Sequence, residues 1–327
     1  MNTFMKMNLR ALNRFGSDSL PPEEIFRKFR LYSTKPLDMK RLKPMIFKRI
    51  EERSTEYPVK GILQVANEVL RARAALYDGV STLIKHVPVL ACKYCSEVFI
   101  GESGHLIHTC HGHRHHAKNK AHTWVKGSLN DVIVPVETFH LERMFQNVLE
   151  HNERLDHDRI PAVIELCLQA GAITNSQDIV KPDNLENNNT TDPDKLSQDD
   201  LRREATRTLH AWEAIRSGVH KLLKVHPARV CKRCNQVHVG PSGHKPLMCR
   251  VCKHDNLHLW EKARVDNLVP QKVVWIRRKQ DPPVLVDKGR EYYGRAPVVV
   301  DLCSKAGALV PSRYFCMMKL DGLTAPV

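Results

Sequence analysis

The chain has 327 residues, of which 42% are hydrophobic, so it is long enough to bury the cores of about two domains. No run approaches the roughly 18 consecutive apolar residues that a membrane-spanning helix needs, and the sequence therefore predicts no membrane partner. The formal net charge of +15, with a pI of about 9.4, favours a polyanionic partner such as nucleic acid.

The N-terminal segment, residues 1–33, has the arginine-rich, amphipathic character of an organellar presequence. Arg30 lies three residues before Ser33, which resembles a mitochondrial processing site. Three acids, Asp18, Glu23 and Glu24, run against this interpretation, and a basic tail is the alternative. We expect a mitochondrial presequence over residues 1–33, with a chloroplast address as the alternative, and a basic extension over residues 34–61.

Residues 62–86 place their apolar side chains close to a 3.6-residue rhythm, which predicts an amphipathic helix. Residues 201–224 repeat the rhythm. Pro88 and Pro227 follow these segments and are expected to end both helices before the next motif.

A metal-binding pattern follows each helix, at residues 92–124 and 231–260. In both copies fourteen residues separate a Cys-x2-Cys pair from a second pair, and a Gly-x-Ser-Gly-His motif and a His-x-Trp motif recur. Four thiol or imidazole groups at paired two-residue spacings are what a closed tetrahedral zinc site needs. The ligands expected from the register are Cys92, Cys95, Cys110 and His113 in the first copy and Cys231, Cys234, Cys249 and Cys252 in the second.

Four further histidines recur in both copies: His105 and His244, and His122 and His258. They are candidates for hydrogen-bonded supports of the zinc ligands, for alternative ligands, or for contacts with RNA phosphate. We favour the hydrogen-bonded role. Trp124 and Trp260 are expected to pack beneath the two motifs. Two filled four-ligand sites would be structural, so we expect two structural Zn2+ ions and no enzymatic activity.

The repeat continues downstream. Residues 132–136 and 269–276 are rich in β-branched side chains and are predicted to be strands. A helix is expected after each, starting near Pro161 or Pro297 and ending near Gly171 or Gly307. Cys167 and Cys303 fall in these helices and are predicted to be buried free thiols, which fits a reducing compartment.

The fold class predicted is α+β, with two homologous zinc-knuckle domains in the order helix, zinc knuckle, strand, helix. The first domain covers residues 62–173 and the second residues 201–310, with a tail over residues 311–327. Between them, residues 174–200 carry seven acids against two lysines and form an acidic linker, so the rest of the chain has a formal charge of +20. Such a linker would tether two separate modules.

The duplicated Cys-x2-Cys, Gly-x-Ser-Gly-His, Cys-x2-Cys/His and His-x-Trp pattern resembles the APO family of plant organelles (accumulation of photosystem one). The resemblance covers roughly residues 60–310. The resemblance implies a nuclear-encoded, zinc-containing, RNA-binding plant protein. Chloroplast members of that family promote splicing of group II introns. The resemblance also implies functional roles for the cysteines and histidines named above in both copies.

Lysine and arginine crowd both knuckles, and we expect them to read RNA phosphates with little sequence information. Structured intron RNA is the expected partner, recognised by shape, together with other splicing factors. Tyr94, Tyr292 and Tyr293 are candidates for local base stacking. The RNA-binding residues expected are Lys93, Arg114, Lys118, Lys120, Lys126, Lys232, Arg233, Lys245, Arg250, Lys253, Lys262, Arg264, Arg277 and Arg278.

Two other functions fit parts of the sequence. A zinc-stapled protein-interaction scaffold would need no RNA, although the charge of +20 outside the linker runs against it. A histidine–metal nuclease would use His108, His111, His115, Asn119 and His122 of the first copy. The second copy has Leu247 and Arg250 in place of His108 and His111, so only one copy would be active.

Overall fold

The computed structural model describes residues 39–56, 61–112, 119–142, 157–173, 196–241, 243, 260–277 and 283–314. The expected presequence, most of the acidic linker and most of the C-terminal tail lie outside these residues. The chain divides into two compact bodies after Ile50. The first contains most of helix α1 (Met39–Glu56), which lies in the expected basic extension, and all the elements that follow belong to the second.

The two repeats, defined here as residues 62–173 (repeat 1) and 201–310 (repeat 2), have the same order of elements. Repeat 1 contains α2 (Ile62–His86), β1 (Val89–Cys92), β2 (Val98–Ile100), β3 (Trp124–Lys126), α3 (Leu129–Val132), β4 (Glu137–Phe139), β5 (Arg159–Pro161) and α4 (Ala162–Gln169). Repeat 2 contains α5 (Gln198–Val225), β6 (Ala228–Cys231), β7 (Val237–Val239), β8 (Trp260–Lys262), α6 (Val265–Leu268), β9 (Val273–Ile276), a 3-10 turn (Arg290–Tyr292), β10 (Gly294–Pro297) and α7 (Val298–Lys305).

The long helices form where the apolar rhythm predicts them. Helix α2 has the predicted bounds, and α5 begins three residues early because the Ser197 side chain accepts a hydrogen bond from the Asp200 N–H. Pro161 and Pro297 lie at the N-caps of α4 and α7, and Gly171 and Gly307 follow their ends with φ of +90° and +96°.

The predicted strand over residues 132–136 is wrong. Asp131 accepts hydrogen bonds from the Ser128 N–H and hydroxyl, which caps a single helical turn, α3, ending at Val132. The strand of this region is β4, which pairs antiparallel with β5. In repeat 2 the expected strand over residues 269–276 starts at Val273 and pairs with β10.

The two segments expected to form zinc knuckles, residues 89–126 and 228–262, are called the first and second knuckle. Each contains a three-stranded antiparallel sheet that was not expected from the sequence. The strand orders are β2-β1-β3 in repeat 1 and β7-β6-β8 in repeat 2. These are short strands in small antiparallel sheets beside long helices, so the expected mixture of helix and strand is confirmed.

The two long helices pack against each other in an antiparallel, reciprocal way. Gly79 of α2 lies against Thr208 of α5, and Gly218 of α5 lies against Val69 of α2. The two glycines are equivalent in the repeat, and so are Val69 and Thr208. The helix pair therefore relates the repeats by an approximate two-fold axis.

Each repeat also packs the strand and helix near its C-terminal end against the small sheet of the other repeat. The Thr138 hydroxyl of β4 donates a 3.0 Å hydrogen bond to the Val237 carbonyl of β7, and β7 also contacts α4. In the reciprocal interface, β2 contacts β9 and α7, and Lys305 of α7 donates to the Ile100 carbonyl of β2. Each knuckle sheet is thus seated on the strand and helix of the other repeat.

One hydrophobic core runs through both repeats. It joins Leu76 and Leu83 of α2 to Trp212 and Leu222 of α5, and it includes the buried Cys167 and Cys303. The two modules are therefore not independently tethered, because each completes the core of the other. Cys167 and Cys303 are fully buried in this core, which confirms the prediction that they pack there, and burial raises the pKa of both thiols to about 12.

Candidate metal centre and nucleic-acid interface

The first knuckle brings its ligand candidates together from three parts of the chain. Cys92 ends β1, and its N–H donates to the Glu97 carbonyl across the turn that contains Cys95. Cys110 is held by a hydrogen bond from its N–H to the Lys120 carbonyl. His122 comes two residues before β3, where the Lys93 N–H donates to the Thr123 carbonyl.

Three thiols and one imidazole converge there. The ligand atoms of Cys92, Cys95, Cys110 and His122 all lie within 4.8 Å of one another. Cys92 Sγ is 3.9 Å from Cys110 Sγ, and Cys95 Sγ is 3.5 Å from His122 Nδ1. A tetrahedron with bonds of about 2.3 Å to sulfur and 2.0–2.1 Å to nitrogen has edges of about 3.8 Å and 3.5 Å. The donor set and its geometry fit a tetrahedral metal ion.

His122 is supported from behind. Its Nε2 lies 3.0 Å from the Thr109 hydroxyl and 3.4 Å from Oε2 of Glu97. A carboxylate behind a ligating imidazole fixes the ring and raises its basicity. Burial alone would raise the pKa of Glu97, but hydrogen bonds from His105 and Thr109 and the electrostatic interaction with the His105 and His122 rings lower that pKa to about 2. Glu97 is therefore anionic and poised to orient His122.

The ring of His105 is buried and hydrogen-bonded on both nitrogens. It is 2% exposed, its Nδ1 accepts a 3.2 Å hydrogen bond from the Ile107 N–H, and its Nε2 lies 3.0 Å from Oε1 of Glu97. Because Nδ1 accepts, Nε2 carries the ring proton and donates a hydrogen bond to Glu97 Oε1. Both ring nitrogens of His105 are therefore engaged by groups other than the cysteine thiols.

The surroundings of the cysteine thiols change their pKa values. Burial would raise the pKa of Cys92, but hydrogen bonds from the Tyr94 backbone, the His122 ring and the Cys95 and Thr123 backbone lower it to about 6. Burial raises the pKa of the neighbouring Cys95 to about 12. A bound metal ion would supply the positive charge that stabilises the thiolates.

Trp124 packs beneath the knuckle as expected. Its indole stacks on His122 with ring centroids 4.9 Å apart, and its Nε1–H donates to the His105 carbonyl. A Cβ on Gly104 would lie 2.3 Å from this indole, and a Cβ on Gly243 would lie 2.1 Å from Trp260 in repeat 2. This close packing accounts for the glycine of the Ser-Gly-His motif in both repeats.

The second knuckle repeats the first where it is described. Cys231 ends β6, its N–H donates to the Gln236 carbonyl, and it packs with Cys234 and Trp260. The remaining expected site residues lie outside the described residues: His113, His244, Cys249, Cys252 and His258. Within repeat 1, the imidazole that joins the cysteines in the described part of the chain is that of His122, which the sequence analysis kept as an alternative ligand.

The expected RNA-binding residues that the structure describes are all exposed. They are Lys93, Lys120, Lys126, Lys232, Arg233, Lys262, Arg264 and Arg277. Lys232 lies 3.4 Å from Glu261, so part of its charge is offset. Outside the described residues lie Arg114, Lys118, Lys245, Arg250, Lys253 and Arg278.

The structure gives Tyr293 and His108 surroundings that differ from those expected. Tyr293 is 5% exposed and its hydroxyl accepts a hydrogen bond from the Val286 N–H, so it is a packing residue and not a stacking platform. His108 of the nuclease hypothesis contacts Asp287, and neither it nor His111 joins a metal-ligand cluster in the described residues. His115 lies outside them.

The fold and site define a class: a basic protein made of two interlocked repeats, at least one of which carries a Cys/His cluster able to hold a metal ion. None of the helices in the described ranges is both long and apolar enough to cross a membrane. The APO RNA-binding family model matches residues 28–179 and again residues 180–319. The chain belongs to the APO RNA-binding family, and RNA binding without catalysis is the activity this family suggests.

Three Arabidopsis thaliana proteins are similar to it. APO protein 1, chloroplastic, is 31% identical, over 88% of this chain and 79% of its own length. APO protein 2, chloroplastic, is 33% identical, over 80% of this chain and 68% of its own length. APO protein 3, mitochondrial, is 34% identical, over 80% of this chain and 73% of its own length. No solved structure matches the chain.

Proposed function

We propose that the chain is a zinc-dependent RNA-binding protein of a plant organelle that promotes splicing of group II introns by stabilising structured intron RNA. The observation that carries the proposal is the cluster of Cys92, Cys95, Cys110 and His122 in a basic member of an RNA-binding family. Three thiols and an imidazole favour zinc over magnesium or calcium, which prefer oxygen ligands.

The metal would act through structure. A bound zinc ion would fix the thiols of the first knuckle, and a second ion would do the same for Cys231, Cys234, Cys249 and Cys252. His122 is the proposed fourth ligand of repeat 1, in place of His113. The chain's own part is to seat both knuckles on one core, which holds their basic side chains at a fixed separation.

Shape recognition follows from that rigidity. Two basic surfaces at a fixed spacing suit an RNA whose folded helices present phosphates at the same spacing. This replaces the expected tether with a rigid clamp, since the shared core leaves the repeats no independent freedom. The domain limits 62–173 and 201–310 then describe sequence repeats that work as one body.

A mitochondrial address is part of the proposal. It rests on the presequence-like residues 1–33 and on the similarity to APO protein 3, mitochondrial, while two chloroplastic relatives keep the chloroplast as the alternative.

The test is sequencing of RNA that co-purifies with the tagged full chain from plant mitochondria and, in parallel, from chloroplasts. The metal-site variant is Cys231→Ala/Cys234→Ala. Its matched control is Cys303→Ala, which also removes a buried thiol of repeat 2 but no ligand candidate. We expect enrichment of a few intron-containing precursors that the control keeps and the metal-site variant loses. If no transcript is enriched from mitochondria and none from chloroplasts, the proposal is overturned in favour of a protein-interaction scaffold.

A further inference from the structure

A basic cavity of about 320 Å3 opens where the first knuckle meets the strands of repeat 2. One wall is the chain before and after Cys110, and the other is the β9–β10 hairpin. The walls are fixed to each other: the Leu106 N–H donates to the Leu285 carbonyl at 2.8 Å, and the His108 N–H donates to Asp287 Oδ1 at 2.9 Å. The side chains that matter here are His108, His111, Lys120, Trp275, Arg290 and Arg295.

The cavity concentrates positive charge. Lys120, Arg290 and Arg295 are exposed cations around one opening, and His108 and His111 add ring nitrogens. Asp287 lies beside these groups: its carboxylate contacts His108 and is 3.8 Å from Arg290. An excess of cations in a concave site attracts an anion more strongly than the same charges on a flat surface.

Lys120 is held at the opening at a cost. Its φ of +49° is in the left-handed region, which costs a residue with a side chain of the order of 1 kcal/mol. The hydrogen bond from the Cys110 N–H to its carbonyl maintains that conformation. Backbone in sparsely populated regions concentrates at binding sites, where the fold fixes a side chain in place.

The aromatic floor is a stack of Arg295 on Trp275. These two residues face each other in the β9–β10 register, with Arg295 Cζ 4.1 Å from the centroid of the indole. Trp275 is half-buried and Arg295 is exposed, so the stack borders the cavity while remaining reachable. Indole rings and guanidinium planes are the surfaces on which unpaired bases stack.

Repeat 1 shows what the same pair looks like when it serves only the fold. Arg159 lies over the ring of Phe139 at 5.1 Å, but Phe139 is 6% exposed and Arg159 pairs with Glu137 at 3.2 Å. In repeat 2 a tryptophan replaces the phenylalanine, and Val273 stands where Glu137 is. Repeat 1 thus forms the same pair with a smaller, buried ring and an acid beside it, whereas the larger ring of Trp275 is half-buried and that acid is missing. Both differences favour a ligand at the cavity.

We propose that this cavity binds one unpaired nucleotide of the RNA, with its base on the Trp275–Arg295 stack and its phosphate at Lys120 and Arg290. The proposal rests on the RNA-binding function argued above and names the site and the form of RNA. An unpaired nucleotide in a loop or bulge would give the rigid clamp a fixed point on a folded RNA.

The test is fluorescence anisotropy of the full, zinc-loaded chain with two labelled probes, an oligoadenylate of about 12 nucleotides and an RNA duplex of similar length. We expect Trp275→Ala to weaken oligoadenylate binding about fivefold or more, and Trp275→Phe to keep most of the affinity. Lys120→Ala should weaken binding and reduce the slope of log affinity against log salt by about one. Arg159→Ala, the matched control, should bind as the wild type does.

The outcomes separate the two proposals. If Trp275→Ala and Lys120→Ala bind both probes like the wild type, RNA lies elsewhere and the nucleotide site is overturned, while the proposed function stands. If the wild type binds neither probe, the RNA-binding function itself fails. Circular dichroism of Trp275→Phe and Trp275→Ala shows whether a loss reflects unfolding, and the salt slope of Lys120→Ala, an exposed substitution, stays informative in either case.

Discussion

A Cβ atom on Gly79 would lie 2.0 Å from Oγ1 of Thr208, so α2 and α5 approach each other more closely than any side chain at position 79 would allow. The Thr208 hydroxyl is itself fixed by its hydrogen bond to the Glu204 carbonyl at 2.8 Å. The reciprocal contact, Gly218 on Val69, places a Cβ 2.2 Å from Cγ2. The two glycines set the spacing of the helices around which both repeats are built.

Gly79→Ala is expected to destabilise the chain by about 1–3 kcal/mol, because overpacking outweighs the gain of about 1 kcal/mol in helix propensity. The measurement is the free energy of unfolding in denaturant. Asn67→Ala, on the exposed face of the same helix, is the control and should be neutral or slightly stabilising. Thr208→Ala should cost less in the Gly79→Ala background than alone, and additive costs would show that the two residues do not contact.

His122→Ala is expected to leave about one of the two zinc equivalents bound, because it removes a proposed ligand of repeat 1 only. His113→Ala should keep both. Zinc content of the dialysed proteins gives the number, and cobalt substitution gives the ligand set from the visible spectrum. The reverse pattern would restore His113 as the fourth ligand.

Gly104→Ala is expected to lower the zinc affinity of repeat 1 by about tenfold or more, since its Cβ would enter the Trp124 indole that supports His122. Gly104 has φ of +71°, and Gly61 has φ of +65° with no atom closer than 3.6 Å to an added Cβ. Gly61→Ala therefore carries the same backbone strain without the clash. Competition with a chromophoric chelator measures the zinc affinity. An equal loss of zinc affinity in both variants would show that backbone strain, and not the clash with Trp124, causes the loss.

His226→Val is expected to make the chain less sensitive to acid. Burial lowers the pKa of His226 from 6.5 to about 4, and neither ring nitrogen has a hydrogen-bond partner in the described structure. Between pH 6.5 and 4, His226 is therefore protonated in the unfolded chain but neutral in the folded chain. The free energy of unfolding falls as the pH drops through that window. The loss approaches about 2–3 kcal/mol at its lower end.

The repeat supplies the replacement, since Val87 occupies the equivalent buried position after α2. Unfolding free energies of the wild type and His226→Val, measured at several pH values from 7.5 to about 4, should diverge as the pH falls. Curves that stay parallel would mean that His226 titrates normally.

Local patterns in the sequence predict the local structure well. The bounds of α2 follow from its apolar rhythm and from Pro88, and the buried state of Cys167 and Cys303 follows from the same rhythm. Residues 132–136 mislead because their β-branched side chains suit a strand, whereas the Ser128–Asp131 capping interaction, worth about 1 kcal/mol, starts a helical turn just before them.

Contacts between the repeats lie beyond such patterns. Nothing in the periodicity of α2 shows that Gly79 meets Thr208, and the acidic segment between the repeats suggested separate modules. The position of His122 beside the cysteines depends on how β1 and β3 pair, with Cys92 opposite Trp124. Counting residues between ligands favours His113 because spacing carries no information on that pairing.

The exchange of knuckle sheets between repeats has a consequence for how such a chain arose. A polypeptide with a single repeat would expose the Gly79 face of its long helix and leave its knuckle sheet without a seat. Two copies of that polypeptide would satisfy both needs by associating about a two-fold axis. The present chain has the architecture that fusion of two such copies would give. Because both halves lie in one chain they need not be identical, and the equivalent positions 139 and 275 hold Phe139 and Trp275.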